Sequence, residues 1–99
     1  MLFIIKGLKY DTEKMEKVAS VRKWFPVDNI LNRAMFPGQE VGHMFVCQLW
    51  KSKKGNWLLT HEEDYTHVGR DITEEDAKEL LLHSAPGVYE TLYGEIEEA

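Results

Sequence analysis

The chain has 99 residues, of which 43% are hydrophobic and 29% are charged, and its formal net charge at pH 7 is -5. A chain of this length builds one hydrophobic core, and this composition excludes an intrinsically disordered chain, which is poor in apolar residues. We therefore predict a single domain over residues 1–99.

Cysteine use and hydropathy favour a reducing compartment. Cys47 is the only cysteine, so an intramolecular disulfide cannot form. The apolar start, residues 1–5, is followed by Lys6, Lys9 and Asp11, far short of the roughly 20 apolar residues that span a bilayer. It also lacks the features of a signal peptide. We expect a cytoplasmic protein that makes no contact with a membrane.

The net charge hides an asymmetry along the chain. Residues 1–60 hold ten of the twelve Lys and Arg but five of the seventeen acids, so they carry about +5, and residues 61–99 carry about -10. If the two parts fold onto separate surfaces, the molecule is bipolar. A bipolar protein favours an anionic partner on one side and a basic partner on the other.

The N-terminal segment predicts a strand followed by a helix. Residues 2–5 form a short run of large apolar side chains, which is typical of a strand. Asp11 or Thr12 can then cap a helix. The apolar positions of that helix, at helical spacing, are Met15, Val18 and Ala19.

Residues 21–42 give no clear pattern, because Pro26 and Pro37 interrupt them. Asp28 is a candidate cap for a single helical turn. The apolar residues of that turn are Ile30, Leu31 and Ala34.

The centre of the chain predicts a β-hairpin. Two apolar segments, 44–50 and 57–60, are joined by a short basic connection. A type I turn followed by Gly55 as the left-handed residue of a bulge closes this hairpin without strain. That register sets Leu49 beside Leu59.

The C-terminal third predicts two helices. Thr73 and Asp76 form a capping box, and Ile72 can pack on Ala77 as a hydrophobic staple. A second helix follows residues 84–87. Its apolar side is formed by Val88, Tyr89, Leu92 and Tyr93, and it ends at Gly94. The whole order predicts an α+β fold: a small antiparallel sheet, made of the N-terminal strand and the central hairpin, with helices packed on one face.

Candidate catalytic and metal-binding groups follow no known spacing. The four histidines match neither paired Cys and His ligands nor an HExxH motif. Cys47 alternates with Phe45 and Leu49 on one strand face, as a buried thiol does. We therefore expect no metal, no cofactor and no catalytic residue. The histidines are His43, His61, His67 and His83.

The acidic third supplies the first candidate binding surface. Glu74, Glu75 and Asp76 suit the first helical turn through the helix dipole, but the other acids have no such explanation. We expect them to contact a basic protein surface. The predicted partner-binding residues are Glu62, Glu63, Asp64, Asp71, Glu74, Glu75, Asp76 and Glu79.

The basic hairpin tip supplies the alternative surface. Lysines with neighbouring tryptophans are typical of sites that grip a phosphate backbone. The predicted nucleic-acid-binding residues are Lys51, Lys53, Lys54, Trp50 and Trp57.

Three blocks of the sequence resemble a group of small proteins of Gram-positive phages and other mobile elements. They are residues 7–12 (GLKYDT), 49–59 (LWKSKKGNWLL) and 72–79 (ITEEDAKE), with Tyr89 and residues 93–95 (YGE) behind. The resemblance covers about half of the chain and implies a setting without an activity or site residues. Small acidic proteins of that setting often resemble inhibitors of host defence, including anti-CRISPR proteins, which present carboxylates where phosphates would lie.

The charge pattern and the resemblance together predict a non-enzymatic inhibitor or adaptor. Its acidic third would dock on a basic surface, such as the groove of a host nuclease or CRISPR effector. One alternative is a nucleic-acid-binding accessory protein that uses the basic tip. Another is a small hydrolase with a site assembled from scattered histidines and acids.

Overall fold

The computed structural model of the chain describes residues 1–26, 38 and 42–99. They form a two-stranded ribbon, a four-stranded antiparallel sheet and two helices, so the predicted α+β class is confirmed. The ribbon consists of β1 (Leu2–Ile5) and β2 (Leu8–Asp11). The other elements are β3 (Glu16–Pro26), β4 (Gly42–Lys51), β5 (Trp57–Glu63), β6 (Thr66–Ile72), α1 (Glu74–Ser84) and α2 (Pro86–Tyr93).

The central hairpin forms as predicted. The sheet order is β3-β4-β5-β6, and Leu49 pairs with Leu59. The Gly55 N–H donates to the Ser52 carbonyl at 3.0 Å, and Gly55 has a φ of +89°. The predicted register and the left-handed glycine are therefore both confirmed.

The predicted helix after Asp11 is wrong. A single 3-10 turn (Thr12–Lys14) is followed directly by β3, which pairs with β4 along its length. The register shifts between Lys17 and Ala19, so that Val18 and Ala19 both pack against the core. Because a β-bulge brings neighbouring residues to one face, the apolar spacing of this strand imitates that of a helix.

The N-terminal strand pairs within the ribbon, whereas the sequence predicted that it joins the sheet of the hairpin. Lys6 and Gly7 both have positive φ, and this tight turn pairs β1 with β2. The Phe3 ring lies on Gly69 of β6, where an added Cβ would come within 2.8 Å of it. The Lys6 ammonium is 3.2 Å from the Asp71 carboxylate. These contacts hold the ribbon against the sheet.

The structure describes part of the segment 21–42, which shows no clear pattern in the sequence. Residues 21–26 belong to β3, because the chain continues its pairing with β4 beyond the bulge. The single turn expected after Asp28 lies outside the described residues.

Both faces of the central hairpin are buried. On one face Leu49 and Leu59 pack with Ala77 and Leu81 of α1, and each of the four is at most 1% exposed. On the other face the Trp50 indole N–H donates to Thr60 Oγ1 at 2.9 Å, and Leu58 and Tyr10 are buried. The molecule therefore has three layers, in which the sheet separates the helices from the ribbon.

The two helices begin close to their predicted positions. The capping box is confirmed, since the Asp76 N–H donates to Thr73 Oγ1 at 3.1 Å and the Thr73 N–H donates to Asp76 Oδ2 at 3.3 Å. The Arg22 N–H donates to Ser84 Oγ at 3.0 Å, which ties the end of α1 to the edge of β3. Among the described residues, no helix is long and apolar enough to cross a membrane.

We predict that Gly55→Val lowers the free energy of unfolding by about 1–2 kcal/mol, because a side chain is disfavoured in the left-handed conformation. A Cβ at Gly55 would contact nothing within 4 Å, so the cost is one of backbone conformation. Gly87→Ala is the matched control, since Gly87 also faces open space but lies near the start of α2 without a positive φ. Urea unfolding of the three proteins measures both effects. Coincident curves for Gly55→Val and the parent would refute the turn assignment.

Candidate functional site

The predicted acidic residues do not form one surface. Glu74, Glu75, Asp76 and Glu79 lie on α1, whereas residues 62–64 lie at the end of β5 and in the β5–β6 turn. The seven residues of β6 separate the two groups by roughly 20 Å. At the β5–β6 turn the side chain of Tyr65 is fully exposed between the strands, with a φ of +64°.

Four of these carboxylates have structural partners. Asp71 pairs with Lys6 on the ribbon side of the sheet, and Asp76 caps α1. Glu63 Oε2 is 3.1 Å from His61 Nε2. Glu74 Oε1 accepts a hydrogen bond from the Tyr93 hydroxyl at 3.2 Å. Burial, together with this bond, raises the pKa of the Tyr93 phenol.

The other four acids are exposed and accept no hydrogen bond from a described residue. Glu75 and Glu79 lie one helical turn apart on α1. Glu79 also lines a groove of about 410 Å³ with Arg22 and Lys23, without an ion pair between described residues. The remaining two, at the β5–β6 turn, are Glu62 and Asp64.

The helical side of the molecule is strongly acidic. Residues 73–99, which we call the acidic layer, contain eight carboxylates and one lysine, Lys78. The Ile96 N–H donates to Glu90 Oε2 at 3.0 Å, which holds Ile96 beside α2. The Lys78 ammonium lies 4.8 Å from the centre of the Tyr93 ring. This layer covers the face of the sheet opposite the ribbon.

A basic cleft lies at the opposite side, between the ribbon and the β4–β5 turn. Its volume is about 480 Å³. Lys53 and Lys54 were expected at this tip, but the fold adds Lys9 and Lys14, which sequence reasoning missed. No local pattern of the sequence brings these two lysines to the tip, because their position depends on how the ribbon packs on the sheet. We call these four lysines and their surroundings the basic cleft.

Neither tryptophan of the tip is fully exposed. Trp57 is 2% exposed and packs in the core, and the Lys51 ammonium lies 5.2 Å from the centre of its ring. Trp50 is half-buried and bonded to Thr60. Trp57 is therefore not available for stacking on bases. The Lys51 ammonium is partly engaged by the Trp57 ring.

His61 is the one histidine that is buried in the described part of the chain. Its ring lies 4.7 Å from Phe25 and 4.8 Å from Phe45, and its Nδ1 has no hydrogen-bond partner among described residues. His43 packs edge-on against Phe45 and is exposed, as are His67 on β6 and His83 on α1. Within residues 1–26, 38 and 42–99, no three His, Cys, Asp or Glu side chains are grouped to hold a metal ion.

Cys47 lies in the core beside this aromatic group. Its side chain is 0% exposed, and its thiol is 3.7 Å from the Phe45 carbonyl oxygen. Burial raises the pKa of the Cys47 thiol, although the positive charges of Lys23 and Arg70 oppose this rise. The thiol is therefore protonated at neutral pH and inaccessible as a nucleophile.

Comparison with known proteins adds no relative. No family model matches the chain, and no similar protein was found among curated proteins or solved structures. The charges of the two outer layers are the most distinctive feature of the described residues, because one is rich in carboxylates and the other in lysines.

We predict that Cys47 in the folded protein reacts with a disulfide reagent at pH 8 at least ~100-fold more slowly than in denaturant, because reaction requires opening of the core. The raised pKa acts in the same direction, since it lowers the thiolate fraction at this pH. Absorbance of the released thiolate reports the rate. Native and denatured rates within a few-fold of each other would contradict the burial of Cys47.

Proposed function

We propose that this protein is a non-enzymatic inhibitor or adaptor whose acidic layer docks on a basic protein surface, such as the nucleic-acid groove of a host nuclease or CRISPR effector. The observation that carries the proposal is the separation of charge. Five carboxylates lie on the two helices, and three more follow α2 in the chain; the helices lie on the opposite side of the sheet from the ribbon.

The exposed acids of α1 suit such docking. Glu75 and Glu79 are spaced i and i+4, so their Cβ atoms are roughly 6 Å apart on one face of the helix. The capping box and the bond from Arg22 to Ser84 fix both ends of this helix. Two carboxylates on a fixed helix offer basic side chains the kind of contact that a phosphate backbone offers. Little backbone conformational entropy is then lost on binding.

The proposal of a binding protein without catalysis rests on the state of the reactive side chains. Cys47 is fully buried, and burial raises its pKa. The His61 ring is enclosed by Phe25 and Phe45. A nucleophile or general base must reach its substrate, and these two groups do not reach solvent.

The mobile-element setting is part of the proposal and rests on the resemblance of three sequence blocks. Within the fold these blocks form β2, the β4–β5 hairpin and the start of α1. The setting favours a host protein as the partner. Basic grooves of nucleases are surfaces on which acidic inhibitors replace nucleic acid.

We predict that Glu75→Gln with Glu79→Gln reduces capture of the basic partner from nuclease-treated Gram-positive host lysate by at least ~5-fold. Two lost carboxylate contacts of about 0.5 kcal/mol or more each account for this factor. Capture by the parent should also fall as salt is raised, because exposed charges are screened beyond about 10 Å at 0.1 M ionic strength. Immobilised proteins and quantitative mass spectrometry provide the measurement.

The matched control is Glu62→Gln with Asp64→Asn, which removes the same charge at the β5–β6 turn. Neither pair disturbs the cap between Thr73 and Asp76, so both variants should stay folded, with a fall in melting temperature of at most a few degrees where the Glu75 charge leaves the helix N-terminus. An equal or larger loss with the turn variant would contradict docking by the acidic layer. If capture fell only in the Lys53→Gln with Lys54→Gln variant, the basic tip and not the acidic layer would contact the partner.

A further inference from the structure

We infer that the basic cleft is a binding site for the phosphate backbone of single-stranded nucleic acid, a function beyond the proposed docking of the acidic layer. The cleft gathers lysines that are far apart in the sequence. Lys9 comes from β2, Lys14 from the 3-10 turn, and Lys53 and Lys54 from the β4–β5 turn. Because the four lysines line one cleft, they concentrate positive charge along a path on which a polyanion can bind.

The cleft carries a net positive charge, because its lining holds four lysines and one carboxylate. All four lysines are exposed, and none forms an ion pair with a described carboxylate. The one carboxylate that lines the cleft is Asp11, and its Oδ1 accepts a hydrogen bond from the Glu13 N–H at 3.1 Å. The four ammonium groups are therefore available to an external anion.

The backbone around the cleft is held in place on both sides. In the β4–β5 turn the Ser52 N–H donates to the Asn56 carbonyl at 2.8 Å, and the Asn56 N–H donates to Ser52 Oγ at 3.0 Å. On the ribbon side, the Thr12 N–H donates to the Met1 carbonyl at 2.9 Å, and the terminal ammonium donates to Thr12 Oγ1 at 2.8 Å. Because the backbone on both sides is fixed before binding, less conformational entropy is lost when a ligand binds.

The apolar part of the cleft favours a single strand over a duplex. Leu8 and Met15 line it beside the lysines, and Leu8 is 50% exposed, whereas Tyr10 is only 6% exposed. Unpaired bases present apolar faces that such a surface can contact, whereas a duplex keeps its base faces stacked inside. A volume of about 480 Å³ falls within the size of sites that hold small organic groups.

A second cleft, with a volume of about 770 Å³, adjoins the first. It shares Lys14 and Lys53 and adds Lys51, but it is also lined by Glu13 and Glu16. These carboxylates repel phosphates. The strand is therefore placed in the first cleft, whose lining holds one carboxylate, Asp11.

The test is fluorescence anisotropy with a labelled single strand of ~12 nucleotides, a length within the usual range of single-strand sites. Lys53→Gln with Lys54→Gln should weaken binding at least ~10-fold and reduce the salt slope of log K by about 1.4, or about 0.7 for each phosphate contact. Lys9→Gln with Lys14→Gln should do the same. The matched control is Lys17→Gln with Lys78→Gln, which removes the same charge from residues that do not line the cleft and should change affinity by less than ~2-fold.

The outcomes separate this site from its alternatives. An equal loss in the control variant would show attraction by net charge alone and overturn the site. If affinity fell in the Lys53 and Lys54 variant but not in the Lys9 and Lys14 variant, the β4–β5 turn alone would bind the strand, and the proposed cleft would be wrong. Equal or tighter binding of a duplex of the same sequence would overturn the assignment to single strands. Binding should persist in Glu75→Gln with Glu79→Gln, so this inference and the proposed function fail independently.

Discussion

Burial of both faces of the central hairpin is the constraint on which the rest of the structure depends. Leu49 and Leu59 point to one side and Trp50 and Leu58 to the other, so neither side of β4 and β5 can remain in water. Each fully buried large apolar side chain contributes about 1.5–3 kcal/mol. Covering one face requires α1, and covering the other requires the ribbon. The three layers follow from this requirement.

The same arrangement keeps most of the opposite charges apart, although Glu79 shares a groove with Arg22 and Lys23. A helix is about 10 Å in diameter and packed β-layers lie about 10 Å apart, so the outer surfaces are separated by roughly 20 Å. The Debye length at physiological ionic strength is about 8 Å. Because the separation exceeds that length, the carboxylates of the helical layer do not neutralise the lysines of the basic cleft. Each surface retains its own potential, although the net charge of the chain is only -5.

Local signals in the sequence predicted the parts of the fold that are stabilised locally. The turn at Gly55 and the cap at Thr73 each involve residues within a few positions of one another, and both are confirmed. The prediction of a helix near Met15 was wrong, because a bulge brings Val18 and Ala19 to one face of a strand. β6 was not recognised, since its sequence, THVGRDI, lacks a continuous apolar run and is stabilised by pairing with β5.

The candidate site shows the same division between local and distant information. Lys53 and Lys54 are neighbours, so their basic tip is visible in the sequence. Their convergence with Lys9 and Lys14 depends on the docking of the ribbon, which no local pattern encodes. The burial of Trp57 likewise depends on α1. Tertiary packing thus decides which side chains belong to the site.

The separation of charge is tested most directly by paramagnetic relaxation of amide protons with a cationic and an anionic nitroxide of the same size. The ratio of the two relaxation rates reports the electrostatic potential near each residue. We predict that the cationic probe relaxes α1 and α2 more strongly, and that the anionic probe relaxes the ribbon and residues 51–56 more strongly. Equal ratios on both sides of the sheet, or a reversed pattern, would contradict the account.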